Sequence, residues 1–254
     1  VTSLRREEII MEMLLAQKEI SVNELSERLQ VTGKTIREDL ARLEEKGLLT
    51  RVHGGAVLAQ SDQFGILTFK GPAGKHADEK VEAAIRALKY IEPNDTIALD
   101  CGTTTLEIAR RLDNQPLTVV TNDLKIISEL IPKEAIRIVV PGGYRVRNML
   151  AGPEAAEFVQ KLNIRKAFFS ATGVHPQHGF TIYTGELLEF KKALLAVCGQ
   201  AYGIVDHHKF GQSALRTFAE LSDISLIITD SGMPPETAKE YEAAGIRLDY
   251  GQGE

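Results

Sequence analysis

Val31-Thr-Gly-Lys-Thr-Ile-Arg-Glu-Asp-Leu-Ala-Arg-Leu-Glu-Glu-Lys-Gly-Leu-Leu-Thr-Arg-Val-His-Gly-Gly-Ala-Val57 reads as a helix running straight into a β-hairpin. Ile36, Leu40 and Leu43 recur at helical spacing from a start near Thr32, and Gly47 offers an easy left-handed end. Beyond it, Leu48 to Val52 and Ala56 to Leu58 are short apolar-alternating runs joined across His53-Gly54-Gly55, where paired glycines supply the positive φ of a tight turn. Upstream, Ser21 and Glu24 form a capping box that opens a short helix ending near Leu29, with Val22, Leu25 and Leu29 as its apolar stripe. Gln30 and Val31 make the turn, and Ile9, Ile10, Met13 and Leu14 give an earlier helix its inward face. Three short helices with a tight turn between the last two are the helix-turn-helix arrangement, whose final helix enters the major groove of DNA with the hairpin as a wing beside it.

The polar face of that final helix carries Thr32, Lys34, Thr35, Arg37 and Arg42, types that bond phosphate oxygens and base edges, and Arg51 and His53 lie on the wing. These seven are the expected DNA contacts. Glu7, Glu8, Glu38, Asp39, Glu44 and Glu45 keep a second reading open, a small helical bundle with solvated charges, because nucleic-acid-binding domains are usually basic.

The whole chain of 254 residues carries a formal net charge of -5, so DNA affinity has to come from a local surface and not from the molecular field. That length, with 43% hydrophobic residues, holds a small head and one larger domain. Cys101 and Cys198 form no Cys-x-x-Cys pair and are expected as reduced thiols. Val1 to Glu8 has no signal-peptide core and no segment reaches membrane-spanning length, so a cytoplasmic protein, bound to the chromosome and to no membrane, is expected. Periodicity fails between Gln60 and Asp78, where Gly71-Pro72-Ala73-Gly74 marks a linker. The expected domains are residues 1–58 (winged head), 59–77 (linker) and 78–254 (effector domain). The last opens with a helix from about Glu79 to Tyr90 that buries Val81, Ala84, Ile85 and Leu88.

From Thr96 onward, strand-like runs (Thr96 to Leu99, Leu117 to Val120, Ile136 to Val140, Ala167 to Ser170, Ala201 to Val205, Leu226 to Thr229) alternate with helical ones. This is the pattern of an α/β domain with a largely parallel, Rossmann-like sheet, in which ligands sit at the carboxyl ends of strands. Asp100-Cys101-Gly102-Thr103-Thr104-Thr105 ends the first strand, and its glycine and hydroxyls before a helix suit a phosphate. A simple threonine cap explains the same residues equally well. Thr121-Asn122, Pro141-Gly142-Gly143, Ala171-Thr172-Gly173 and Asp206-His207-His208-Lys209 end four more strands in polar or glycine-rich residues, which makes Asn122, Gly142, Gly143, Gly173, Asp206 and Lys209 candidate effector contacts with Asp100 and Gly102 to Thr105.

Thr35-Ile36-Arg37-x-Asp39-Leu40-x-x-Leu43-Glu44-x-x-Gly47-x-Leu49-x-Arg51-x-His53-Gly54-Gly55-Ala56 resembles the amino-terminal signature of the DeoR family of bacterial transcriptional repressors. The family usually has Arg or Lys where Glu38 stands, which predicts weaker nonspecific DNA affinity. The strand-end motifs resemble the family's sensor domain, which is similar to the ribose-5-phosphate isomerase fold and senses phosphorylated sugars. By that resemblance Asp100, Gly102, Thr103 and Thr104 form the phosphate loop, Gly142 and Gly143 a second loop, and Lys209, Glu186 and Lys191 further effector contacts; Thr184 stands for the usual Asn and Leu187 for the usual second Glu.

No cofactor or metal is expected: proline breaks His175-Pro176-Gln177-His178, and the adjacent side chains of His207 and His208 diverge. The resulting expectation is a repressor of a carbohydrate catabolic operon, acting on operator DNA as a dimer or tetramer and released by a phosphorylated sugar. The competing reading is a sugar-phosphate isomerase-like enzyme with an appended DNA-binding head, since Glu186 with Lys191 or Lys209 forms an acid-base set. A structural nucleoid protein has little use for a phosphate pocket.

Overall fold

This computed structural model describes residues 3–17, 19–45, 48–58, 76–183 and 185–251. The chain divides into two compact units, residues 1–63 and 64–254.

The first unit holds α1 (Ser3–Gln17), β1 (Glu19–Ser21), α2 (Val22–Leu29), α3 (Gly33–Glu45), β2 (Leu49–Val52) and β3 (Gly55–Leu58). Ser21 Oγ accepts from Glu24 N at 3.1 Å, the expected cap of α2, while the Glu24 carboxylate takes its bond from Gln17 Nε2. Gln30 closes α2 in the left-handed region at φ 54°. Met11 joins Ile10, Met13 and Leu14 inside, packed with Leu25, Ile36, Leu40 and Leu43, whereas Ile9 is only partly covered. The wing is wider than its sequence suggests, because β1 adds to the hairpin and gives the sheet order β1-β3-β2. Only Gly54 of the two turn glycines has positive φ, at 82°. Gly55 is required for a different reason: a Cβ there would lie 2.1 Å from the Ile20 carbonyl oxygen, so any side chain forces β3 off β1. Gly47, the expected end of α3, lies outside the described residues.

In the second unit, α4 (Ala77–Leu88) leads into β4 (Thr96–Leu99), α5 (Thr103–Arg111), β5 (Leu117–Val120), α6 (Leu124–Leu130) and β6 (Ile136–Val139). There follow the hairpin β7 (Tyr144–Val146) and β8 (Met149–Ala151), α7 (Pro153–Val159), β9 (Ile164–Phe169), β10 (Gly173–His175) and β11 (Gly179–Ile182). The chain continues through α8 (Leu188–Val197), β12 (Cys198–Ile204), β13 (Arg216–Ala219), β14 (Leu226–Ile228), α9 (Pro235–Ala243) and β15 (Leu248–Asp249). Seven strands form one parallel sheet in the order β15-β14-β12-β9-β4-β5-β6. Alternation along each strand sends its residues to two apolar layers. Ile97, Leu99, Phe168, Tyr202 and Ile204 meet Ala83, Ala84 and Ala87 of α4 and Leu106 and Ile108 of α5, while Ala98, Ala167, Phe169 and Ala201 meet Val159 of α7, Phe190 and Leu194 of α8 and Tyr241 of α9.

Three sequence expectations change. The expected linker, 59–77, overlaps α4 at Ala77, and its residues 59–75 lie outside the described ones. α4 buries Lys80, Ala83, Ala84 and Ala87, leaving Ile85 exposed; small alanines let α4 approach α5 closely, which the hydrophobic pattern alone does not reveal. The antiparallel sheet β10-β11-β13 and the β7-β8 hairpin have no counterpart in the alternating strand and helix runs, because three- and four-residue strands carry little periodicity of their own.

Candidate functional site

On α3 the burial of Ile36, Asp39, Leu40 and Leu43 fixes the opposite face, which presents Lys34, Arg37 and Glu38 to solvent. Thr32 caps this helix: its Oγ1 accepts from Thr35 N at 3.3 Å and lies 3.0 Å from Thr35 Oγ1. Arg42 does not join this exposed face. Its guanidinium pairs with Asp39, binds Glu7 Oε1 at 3.1 Å and donates to Ser3 Oγ at 2.8 Å, because Asp39 and Glu7 are buried between α1 and α3 and need a counter-charge there. Those two acids therefore belong to the interior and are not surface charge. Arg51 is tied to α3 through Glu44, whose carboxylate accepts from the Arg51 backbone N at 2.8 Å and from Nε at 2.6 Å. These bonds hold the Glu44 carboxyl below its ordinary range. His53 stands exposed at the wing tip.

In the second unit the strand order reverses direction between β4 and β9, the place where open parallel sheets bind ligands. There Lys191 of α8 reaches the sheet, pairing with Asp100 and donating to Ser170 O at 2.8 Å. Ser170 N donates to Asp100 Oδ2 at 3.3 Å and Ser170 Oγ to Cys101 O at 2.8 Å, so the ends of β4 and β9 are stitched together. Burial pushes the Asp100 carboxyl above its ordinary range, an effect that the Lys191 ammonium only partly offsets.

The loop after β4 divides its labour. Thr105 Oγ1 donates to Asp100 O at 2.6 Å and lies 3.0 Å from Gly102 O, so this threonine is committed to holding the turn; it is not a free effector contact. Thr103 and Thr104 head α5, where the first-turn N–H groups have no partner within the helix. Gly102 is demanded by packing, since a Cβ would fall 2.2 Å from Ser170 Oγ. Gly173 and Gly143 are likewise fixed by close backbone approach, to Gln212 O and Ala151 O, and Gly142 turns at φ 78°. All three position the chain around the site by their backbone.

Four buried oxygens at these strand ends accept no hydrogen bond from any described residue: Asp100 Oδ1, Asn122 Oδ1 and both carboxylate oxygens of Asp206. Asn122 Nδ2 is meanwhile fixed on Leu150 O at 2.9 Å, and Lys209 is buried in the turn that follows Asp206. These residues follow β4, β5 and β12, which with β9 are consecutive in the sheet, so the ends are spaced by about 4.8 Å per strand. Lys191 is brought to Asp100 directly, whereas Thr184 and the side chain of Glu186 lie outside the described residues.

Sequence reasoning missed Ser170 and Asn148. Asn148 Nδ2 donates to Asp123 Oδ2 at 2.9 Å and lies 4.0 Å from Cys101 Sγ, carrying the β7-β8 hairpin over the end of β5. It also missed Asp230, whose carboxylate binds His207 N at 2.8 Å and lies 2.6 Å from His207 Nδ1. Burial works to raise the Asp230 carboxyl, but these bonds outweigh it and hold it low. The polar run Thr229-Asp230-Ser231 after β14 was a visible signal of the same kind as the other strand ends. Cys101 and Cys198 are free thiols, and burial pushes the first well above its ordinary value and the second up to about 11.

A winged helix-turn-helix on one unit and polar carboxyl ends of a parallel α/β sheet on the other are the architecture of a DNA-binding regulator with a second, sensor-type domain. Residues 6–62 match the DeoR-like helix-turn-helix domain and residues 75–231 the DeoR C-terminal sensor domain, so the chain belongs to the DeoR family of transcriptional regulators. It is 34% identical to the uncharacterized HTH-type transcriptional regulator YulB of Bacillus subtilis, over 96% of this chain and 95% of that one. It is 32% identical to the L-fucose operon activator of Haemophilus influenzae (95% and 97%) and 31% identical to the lactose phosphotransferase system repressor of Staphylococcus epidermidis (84% and 86%). Among solved structures, ribose 5-phosphate isomerase A of Methanocaldococcus jannaschii aligns with a TM-score of 0.42 at 17% identity, covering 54% of this chain and 55% of that one. Among the described residues no helix is long and apolar enough to cross a membrane.

Proposed function

We propose that this regulator represses a carbohydrate catabolic operon in the cytoplasm and leaves its operator when a phosphorylated sugar binds at the carboxyl ends of β4, β5, β9 and β12. The observation that carries this reading is the set of buried oxygens on Asp100, Asn122 and Asp206, at the ends of β4, β5 and β12, that have no donor among the described residues. Buried acceptors without donors are costly, and sugar hydroxyls supply donors, while free helix N–H groups with Lys209 suit the phosphate. The protein acts as a homo-oligomer, because one winged head covers too little DNA for tight operator binding, and symmetric pairs double the contacts. Effector binding and operator binding are then coupled through the arrangement of subunits, typically by about 1 to 3 kcal/mol. No turnover accompanies binding, since sensing needs only differential affinity between two states.

The test is operator binding by fluorescence anisotropy with candidate sugar phosphates and their unphosphorylated parents. Only the phosphorylated sugar releases DNA, since charge-assisted bonds are about twice as strong as neutral ones. Thr104→Val and Lys209→Ala keep near-wild-type operator affinity and lose the response, the super-repressor phenotype. Equal release by the parent sugar, or steady conversion of the bound sugar phosphate, overturns the reading.

Arg37 and Glu38 test the other half. Arg37→Ala is expected to weaken operator binding by about 1 to 3 kcal/mol. Glu38→Lys, which restores the charge usual in the family, strengthens binding to random DNA and steepens its salt dependence. Unchanged gel shifts with folded protein remove this face of α3 from the groove.

A further inference from the structure

The chain has six histidines, and the structure gathers them differently from their order in sequence. His76 opens α4, Glu79 follows within its first turn, and His208 lies in the 3-10 turn after β12. His76 Nδ1 is 3.6 Å from Glu79 Oε1, and His208 Nε2 is 3.7 Å from the same oxygen. One ligand atom from each of the three lies within 4.8 Å of the other two. The His76 and His208 rings sit 3.7 Å apart between centroids. The His207 ring lies 3.8 Å from that of His208, tilted by 37°, and its Nδ1 is engaged by Asp230, so it stays outside the cluster.

We propose that His76, Glu79 and His208 bind one divalent transition-metal ion of the zinc class. A tetrahedral ion with bonds of about 2.0 to 2.2 Å has ligand atoms about 3.3 to 3.6 Å apart, and the two separations to Glu79 Oε1 already match that to about a tenth of an ångström. Two imidazoles and a carboxylate with an open fourth position is a donor set that zinc accepts, and imidazole nitrogen favours zinc, nickel and cobalt over magnesium or calcium. The three side chains are 28%, 30% and 41% exposed, so the ion enters from solvent and exchanges. It joins the amino end of α4 to the turn that continues directly into Lys209. The site stands independently of the sugar-phosphate reading, because none of its three ligands belongs to the proposed effector set.

The test uses the full chain, stripped with chelator and desalted, with Co2+ as the spectroscopic probe and Zn2+ as competitor. One equivalent of Co2+ is expected to bind saturably with visible d–d bands that Zn2+ abolishes, and Zn2+ is expected to raise the thermal midpoint. Glu79→Gln and His208→Gln each weaken binding at least tenfold and remove the thermal shift, with circular dichroism unchanged. The His175→Gln/His178→Gln variant binds as the wild type does. Absence of saturable binding, or binding that survives Glu79→Gln and His208→Gln but fails in the His175 and His178 variant, overturns the proposal and leaves the rings as simple aromatic packing.

Discussion

Replacing Lys191 by Met is expected to destabilise the effector domain by about 3 to 5 kcal/mol, the usual cost of breaking a buried ion pair from one side. Lys191 and Asp100 side chains are 1% and 0% exposed, and the other donors acting on the carboxylate are backbone N–H groups, Ser170 N at 3.3 Å among them. Burial already raises the Asp100 carboxyl above its ordinary value, and without the ammonium it rises further, so the carboxyl takes up a proton more readily folded than unfolded. A folded pKa above the unfolded one contributes stability at low pH that is lost as pH rises through the folded value. The deficit of the variant is therefore smallest in mild acid and grows toward neutral pH. Urea midpoints at two pH values measure this. Adding Asp100→Leu to Lys191→Met recovers most of the loss, because removing both charges is far cheaper than stranding one. A deficit below about 1 kcal/mol, of the size of a surface pair, or one independent of pH, contradicts a buried ion pair at this position.

In the head, Asp39→Ala is expected to cost about 3 kcal/mol and to abolish operator binding by unfolding α1 from α3. The Asp39 carboxylate is fully buried, takes Arg6 Nε at 2.7 Å and Nη2 at 3.0 Å, and pairs with Arg42. The figure sits at the low end of the buried-pair range because Arg42 is 41% exposed and keeps Glu7 and Ser3, while Arg6, at 13%, loses its Asp39 bonds in a mostly buried place. Hydrogen exchange of α3 amides in the full chain reads the local loss, and anisotropy reads the operator. Protection and DNA binding that survive the substitution would contradict a stabilising role for Asp39. Arg6→Ala combined with Asp39→Ala lessens the deficit, distinguishing a stranded charge from simple loss of packing.

The head and the alternating α/β order are written in local signals of the chain. Both rest on signals within one turn or one strand: the Ser21 cap, the stripe Ile36, Leu40 and Leu43, the glycine turn at Gly54, and the apolar runs at Thr96, Leu117, Ile136 and Leu226. The strand-end residues were legible for the same reason, since a parallel sheet places its ligand loops where apolar runs stop. Which of these residues remain available depends instead on packing between distant segments. Arg42 and Thr105 have the chemistry of contacts and are instead committed to Asp39, Glu7 and the Asp100 turn. Ile85 has the spacing of a core residue and is 51% exposed, since alanines, not the larger side chains, set the approach of α4 to α5. Ser170 at Asp100, Asn148 at Asp123 and His76 at His208 meet across long stretches of chain. Such pairings are fixed by strand order and helix docking, and no local propensity or periodicity encodes them.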